Sequence, residues 1–466
     1  MSSADAIEPL IQHVLRADAG NVPPAAMASA RRSILDALGT TVAGAAQPGV
    51  GALRAALART TGRAESRVAI HGERLGAMDA ALVNIAMCHA LEIDDAHYPA
   101  IVHPTAPSLW SALAVAESAG GVDGRELLLA VALATDVMCR LALGAPRTID
   151  NGYHTALYSI FGGVVAAARL RRASERVLAD AFGIALCRAA ASVQAGSDGA
   201  LVKRLQPAMS AAEGIRCVLF AEAGISGPRR VLQGRAGLYR LFNHDEGRID
   251  RVLEGLGDDF LGTRLSIKRY PSSRCGHGPI EATLALVASH DIDPEQVEEV
   301  VVEVQPSCFA RESHGYDPSR GDPQVSAQFS IDYGVAAALL WREVFIDQYS
   351  AEATRDPRLL ALTRRVRVEA HRSEGGDTPY LPVTVAIRLR GRGWVRHTVR
   401  QLEGSPERPM HWNDVVEERW RRCAATHPHF ARPEVQDRIV EAVDGLDRMA
   451  DATRLMDLMT VPETDA

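Results

Sequence analysis

The sequence predicts a mainly α protein, a large all-helical domain with a smaller α+β domain inserted as a lid. Three observations carry that expectation. Hydrophobic residues make up 47% of the 466-residue chain and aromatics only 5%, a balance that suits close-packed, alanine-rich helices better than a β-sandwich. Apolar residues recur at helical spacing through the first half of the chain. Near Leu265 the pattern changes to β-branched runs, and after Pro406 it returns to helical periodicity.

The segments Ala28–Ala46, Ala77–Leu91, Ala106–Ala119, Gly124–Ala142 and Ile160–Leu170 carry Ala, Leu, Ile and Val three and four residues apart, with Gly-Gly, Gly-Pro and Asp-Gly breaks between helices. Val297–Val304 and Val366–Ala370 read as strands. Val383–Leu389 and Gly393–Val399 flank an Arg-Gly-Arg-Gly turn as a hairpin would. Helical patterns at Pro279–Ser289 and Ser330–Trp341 lie between these strands. The expected domains are therefore 1–265 plus 402–466 for the helices and 266–401 for the insert. The chain crosses twice between them, and such a junction is a natural hinge with a cleft for a small molecule. No repeat of solenoid length and no low-complexity tract appears.

A formal net charge of −7 provides no basic field, so nucleic acid and anionic membrane surfaces are not expected partners. Asp5 and Glu8 stand where a leader peptide would carry basic residues, and no uncharged apolar run reaches membrane-spanning length. The expected location is the cytoplasm. Seven dispersed cysteines without a C-x-x-C pair fit reduced thiols.

Lys203 and Lys268 are the only lysines among 51 basic residues. An ammonium is a compact charge whose pKa responds to burial, which a guanidinium does not offer. Their retention in an arginine-dominated chain marks both as candidates for a specific task.

The densest chemical cluster is HALEIDDAHYPAIVHP at residues 89–104, with three histidines and three carboxylates. If the helix runs to about Asp95, Glu92 and Asp95 share a face, with His97 and His103 on the following loop. A carboxylate beside an imidazole sets its tautomer and basicity for acid–base work. The same residue types could bind a metal, but H-E-x-x-H and H-x-H spacings are absent. The Asp-Asp pair has neither the second acidic motif nor the aromatics of a terpene synthase. His154 follows Gly152-Tyr153, Lys203 lies in GALVKRLQP, and Lys268 lies in IKRYPSSRCGHGPIEA.

These blocks, with GPRRVLQGRAGLYRLF at 227–242, resemble the MmgE/PrpD family, which includes 2-methylcitrate dehydratase, cis-aconitate decarboxylase and iminodisuccinate epimerase. The resemblance spans nearly the whole chain in order. It implies a homodimer, a site without cofactor or metal in the interdomain cleft, and a small di- or tricarboxylate substrate. The family pattern places Glu92, Ala96 and His103 at site positions of the acidic block. It places His154 at the second-motif histidine, Lys203 and Lys268 at the site lysines, and His277 at a following histidine. Glu92 stands where Asp is usual, Ala96 where Thr is common, and Gln206 where KRLH has histidine. These departures change the contacts available to a substrate.

The expected activity is that of a lyase, a dehydratase first, which moves a proton at a carbon next to a carboxylate. His103 and His154 transfer protons, Glu92 or Asp95 orients an imidazole, and the lysines clamp carboxylates. Epimerisation and decarboxylation are the near alternatives. A metal-dependent hydrolase and a non-catalytic binding dimer are the distant ones.

Overall fold

The computed structural model describes residues 5–60, 62–371 and 379–462. The extreme ends of the expected helical domain, together with 372–378 of the expected insert, lie outside this range. The described chain is predominantly helical, with a two-stranded and a four-stranded sheet.

Apolar side chains sort into two principal cores. One is drawn from residues between Ala6 and Ile267 and from Met410 to Met459. The other is drawn from Tyr270 to Leu402, joined by Ala96 and Tyr98. The helices Pro24–Gly44, Ala77–His89, Thr105–Ser118, Gly124–Leu143, Ser159–Leu170 and Gln206–Glu222 dominate the first core. Small residues let them approach closely. A Cβ at Gly163 would stand 2.2 Å from the carbonyl oxygen of Ala211, and one at Gly214 would stand 2.2 Å from that of Ile160. Gly163→Ala would therefore push Ser159–Leu170 away from Gln206–Glu222. This contact matters for the site, because each of these helices is preceded by a short 3₁₀ turn, Thr155–Tyr158 and Leu201–Leu205.

The first sheet pairs β1 (Ser66–Arg67) with β2 (Arg74–Leu75). The second contains β3 (Val297–Val304), β4 (Val366–Ala370), β5 (Val383–Leu389) and β6 (Gly393–Val399), in the order β4-β3-β5-β6. β3 runs parallel to β4 with Val300 opposite Val366, and antiparallel to β5 with Val302 opposite Val385. Val300, Val302 and Val304 point into the second core at period two. The helix Arg274–His290 lies on β5, where Gly278 meets Val383, and Ile331–Trp341 packs on that helix through Gly334 and Ile280.

The expectation of seven reduced thiols is corrected at one pair. Cys275 and Cys308 are disulfide-bonded with Cα atoms 5.4 Å apart, a separation that a disulfide spans without backbone movement. The bond joins the first turn of Arg274–His290 to the helix Pro306–Glu312. Cys88, Cys139, Cys187, Cys217 and Cys423 are free. No helix among the described residues is long and apolar enough to cross a membrane.

Candidate active site

The helix Ala77–His89 stops at His89, six residues before the expected end. Glu92 adopts a left-handed backbone with φ of 54°, a conformation that ends helices. The expected pairing of Glu92 with Asp95 on one helical face is therefore not formed. The chain folds back instead, and Asp94 reaches the two histidines that bracket the block.

Asp94 Oδ2 lies 2.9 Å from His89 Nδ1, and Asp94 Oδ1 lies 3.3 Å from His103 Nδ1. The two imidazoles meet edge to face at 4.8 Å. With its Nδ1 proton on Asp94, His89 keeps the Nε2 lone pair for the Lys203 ammonium, 3.0 Å away. Burial is the largest influence on the His89 pKa and lowers it, so the ring stays neutral. Burial is the largest influence on His103 and opposes its charge, but Asp94 and Glu92 together overcome it and raise His103 from 6.5 to about 9. Asp94 itself is held below its ordinary value. Burial alone would raise it, and the His103 and His89 rings overturn that effect.

Glu92 is the centre of the cluster. Its carboxylate accepts from Lys203 Nζ in a short contact and from Lys268 Nζ at 3.0 Å. His103 Nε2 stands 3.4 Å away. Burial would raise its carboxyl, but Lys203, then Lys268 and His103, hold it well below the carboxylate range. Lys268 also donates to the Glu92 carbonyl at 2.9 Å and to the Ser272 carbonyl at 3.3 Å. Burial lowers the Lys203 pKa against the pull of Glu92. The two lysines thus converge from separate parts of the chain, and both are buried.

The other expected residues divide into those near this cluster and those with structural work. His154 caps the first 3₁₀ turn and feels the charge of Lys203. Its Nδ1 accepts the Ala156 N–H at 3.0 Å, which leaves the proton of the neutral ring on Nε2. Burial, then Lys203 and His89, push it down to about 3. His277 places Nε2 3.2 Å from the Ser272 carbonyl, and burial, then Arg274 and Lys268, lower its pKa.

Ala96 makes a backbone bridge to Ser266, with N–H···O distances of 2.9 and 2.8 Å in the two directions. That bridge ties the acidic block to the segment carrying Lys268. The Gln206 amide is engaged by the Ser192 backbone at 2.7 and 3.0 Å. Asp95 does not orient an imidazole. It accepts from Thr105 Oγ1 at 2.5 Å and from Thr105 N at 3.3 Å, and burial raises it to about 7.

Sequence reasoning assigned no role to His89, Asp94 or Glu312. Glu312 accepts from Ser273 Oγ at 2.6 Å, and burial pushes its carboxyl up to about 8. Its signal in the sequence is a lone glutamate at the end of a short helix, which carries no pattern. A cavity of ≈ 580 Å³ lies beside the acidic block, bounded by His97, Tyr98, Ser266, Arg274 and Tyr380. The Glu92 cluster does not line it. The cluster itself is most accessible at His103, whose side chain is 16% exposed.

The MmgE/PrpD N-terminal domain matches residues 8–248, and the MmgE/PrpD C-terminal domain matches residues 270–445. This chain belongs to the MmgE/PrpD family. In this MmgE/PrpD protein Lys203 lies within the N-terminal match, and Lys268 lies in the interval between the two matches, two residues before the second begins. A cis-aconitate decarboxylase of Aspergillus terreus is 27% identical over 420 residues, which cover 85% of this chain and 84% of that protein. The cis-aconitate decarboxylase-like protein oryM of Aspergillus oryzae is 26% identical over 415 residues, 84% of each.

Proposed function

We propose that this MmgE/PrpD protein is a metal-independent lyase that decarboxylates a small polycarboxylate, with His103 delivering the proton to carbon. The observation that carries this reading is the division of roles among the histidines. His103 bears the imidazolium, held by Asp94. His89 spends its free nitrogen on Lys203, and His154 spends its acceptor nitrogen on Ala156. The site is rich in proton donors, and the imidazoles of His89, His103 and His154 offer no uncommitted acceptor. Decarboxylation requires delivery of a proton, whereas dehydration and epimerisation also require its removal.

In the proposed step the bond from carbon to the departing carboxylate breaks. Its electron pair stays on carbon, spread toward a neighbouring carboxylate, and carbon dioxide leaves. His103 Nε2 then protonates the carbon, and water restores the imidazolium. The positive charge on Lys203, Lys268 and His103, in a site with little water, stabilises the developing anion. The cis-aconitate decarboxylases among the relatives support this choice within the family.

Lys203 favours dehydration as the second reading, because burial moves its pKa toward the range of a general base. Turnover in deuterated water separates the readings. Decarboxylation puts one deuterium on the product carbon and leaves unreacted substrate unlabelled. Water loss without carbon dioxide indicates the dehydratase, and label in recovered substrate indicates the epimerase.

His89, Asp94 and His103 have the residue types of a metal site, with candidate ligand atoms within 4.8 Å of one another. An ammonium 3.0 Å from His89 opposes a second cation there, which supports metal independence. Activity that survives a chelator, with no metal in the purified protein, is the expected result. The exposed Leu201, Val202, Met209, Leu219, Phe220 and Ile225 support the expected homodimer.

A further inference from the structure

The lysine pair is not an empty clamp. Glu92 lies between the two ammonium groups and already engages both. An ammonium has three N–H donors. Those of Lys268 go to Glu92 O, Glu92 Oε1 and Ser272 O. Two of those on Lys203 go to Glu92 Oε2 and His89 Nε2. One lysine donor remains.

Other donors that could compensate are missing or engaged. Ala96 has no hydroxyl and faces the second core. The Gln206 amide is held by Ser192 through both its oxygen and its nitrogen. His277 is committed to the Ser272 carbonyl. His103 turns Nδ1 to Asp94 and Nε2 to Glu92 at 3.4 Å, so His154, with its proton on Nε2, is the remaining imidazole with a proton to offer a carboxylate.

We infer that Glu92 acts as a resident carboxylate in the lysine seat, so that the substrate is a dicarboxylate and a tricarboxylate is disfavoured. This rests on the proposed reading of the site as one for small carboxylates. One substrate carboxylate takes the remaining Lys203 donor and the His154 Nε2 proton, which leaves His103 Nε2 for the carbon. The other stays at the less buried rim, where water can solvate it. A third would have to share the lysines with Glu92 and would meet its negative charge at contact distance, with too few donors to satisfy both. Glu92 has the reach for this role, since its extra methylene lets one carboxylate bridge both lysines. Asp at the same position would draw the carboxylate back.

Maleate and cis-aconitate make a matched pair, because the second adds a carboxymethyl group to the first. Calorimetric titration of the full-length protein should show maleate binding at least tenfold more tightly than cis-aconitate. Glu92→Gln removes the resident charge, and Glu92→Asp shortens its reach while keeping the charge. Each should lower the maleate to cis-aconitate affinity ratio at least tenfold, chiefly through a gain for cis-aconitate. Asp is well tolerated at a left-handed position, so this variant guards against loss of fold in the other. Tighter binding of cis-aconitate than of maleate by the wild type overturns the inference, as does a ratio unchanged in both variants. Failure of every carboxylate to bind the wild type refutes the proposed function as well, whereas binding without discrimination refutes the role of Glu92 alone.

Discussion

Replacing Asp94 by Asn removes the charge that keeps His103 protonated while preserving the shape of the side chain. The wild-type imidazolium persists to about 9, against an ordinary 6.5. Burial is the largest influence on it and acts downward, Lys268 also acts downward, and Asp94 is the principal group opposing them. Without the Asp94 charge the ring should titrate at or below its ordinary value. His103 is the acid form below its pKa, so activity that needs it is present at low pH and lost as pH rises through that pKa. The alkaline limb of kcat/KM should therefore move from near 9 to roughly 6.5 or lower in Asp94→Asn. At pH 7.5 an imidazole one unit below the ambient pH is only about one-tenth protonated, so kcat/KM should fall about tenfold, with most of the loss recovered at pH 5.5. Release of carbon dioxide measured from pH 5 to 10 is the assay. A variant whose alkaline limb stays near 9, at any overall rate, would show that Asp94 does not set the protonation of His103.

Three further outcomes are expected. Lys268→Met leaves Glu92 with a lost partner inside the protein and should cost roughly 3–5 kcal/mol in a denaturant melt; adding Glu92→Gln should recover part of that loss, and a strictly additive double variant would contradict the pairing. Glu312 binds its proton more tightly in the fold than in the unfolded chain, since burial raises it from 4.5 to about 8, so its contribution to stability declines as pH rises through that window. Glu312→Gln should consequently melt higher than wild type by a margin that grows from pH 5 to pH 8, and an equal margin at both values would refute the assignment. Phe220→Glu, on the exposed apolar face, should convert a dimer to a monomer in light scattering, and an unchanged mass would place the interface elsewhere.

The strands were legible because their side chains report the environment at short range. Val297–Val304 and the two arms around Arg390–Gly393 were readable as β-branched runs with a turn between them, and the structure forms them with those bounds. Helix existence was equally legible from apolar spacing. Helix ends were not, because termination depends on groups that meet only in three dimensions. The periodicity of Ala77–Leu91 continues past His89, and nothing local requires the turn that gives Glu92 a positive φ. Its compensation comes from Lys203 and Lys268, more than a hundred residues away. The Cys275–Cys308 bond was invisible for the same reason, since 33 residues without a recurring cysteine spacing separate its ends.

That single missed turn accounts for the error in assigning roles within the acidic block. A helix continued to Asp95 puts Asp95 beside Glu92 and leaves Asp94 on another side. A helix ended at His89 sends Asp94 back to two imidazoles and leaves Asp95 to Thr105. The composition had already singled out the lysines, and the fold brings both to Glu92. What composition could not convey is that their carboxylate partner is part of the chain. A clamp awaiting substrate and a clamp closed on Glu92 use the same residues, and the inferred preference for a dicarboxylate rests on the second. The distance from Lys268 Nζ to Glu92 Oε1, 3.0 Å, is the observation that separates the two.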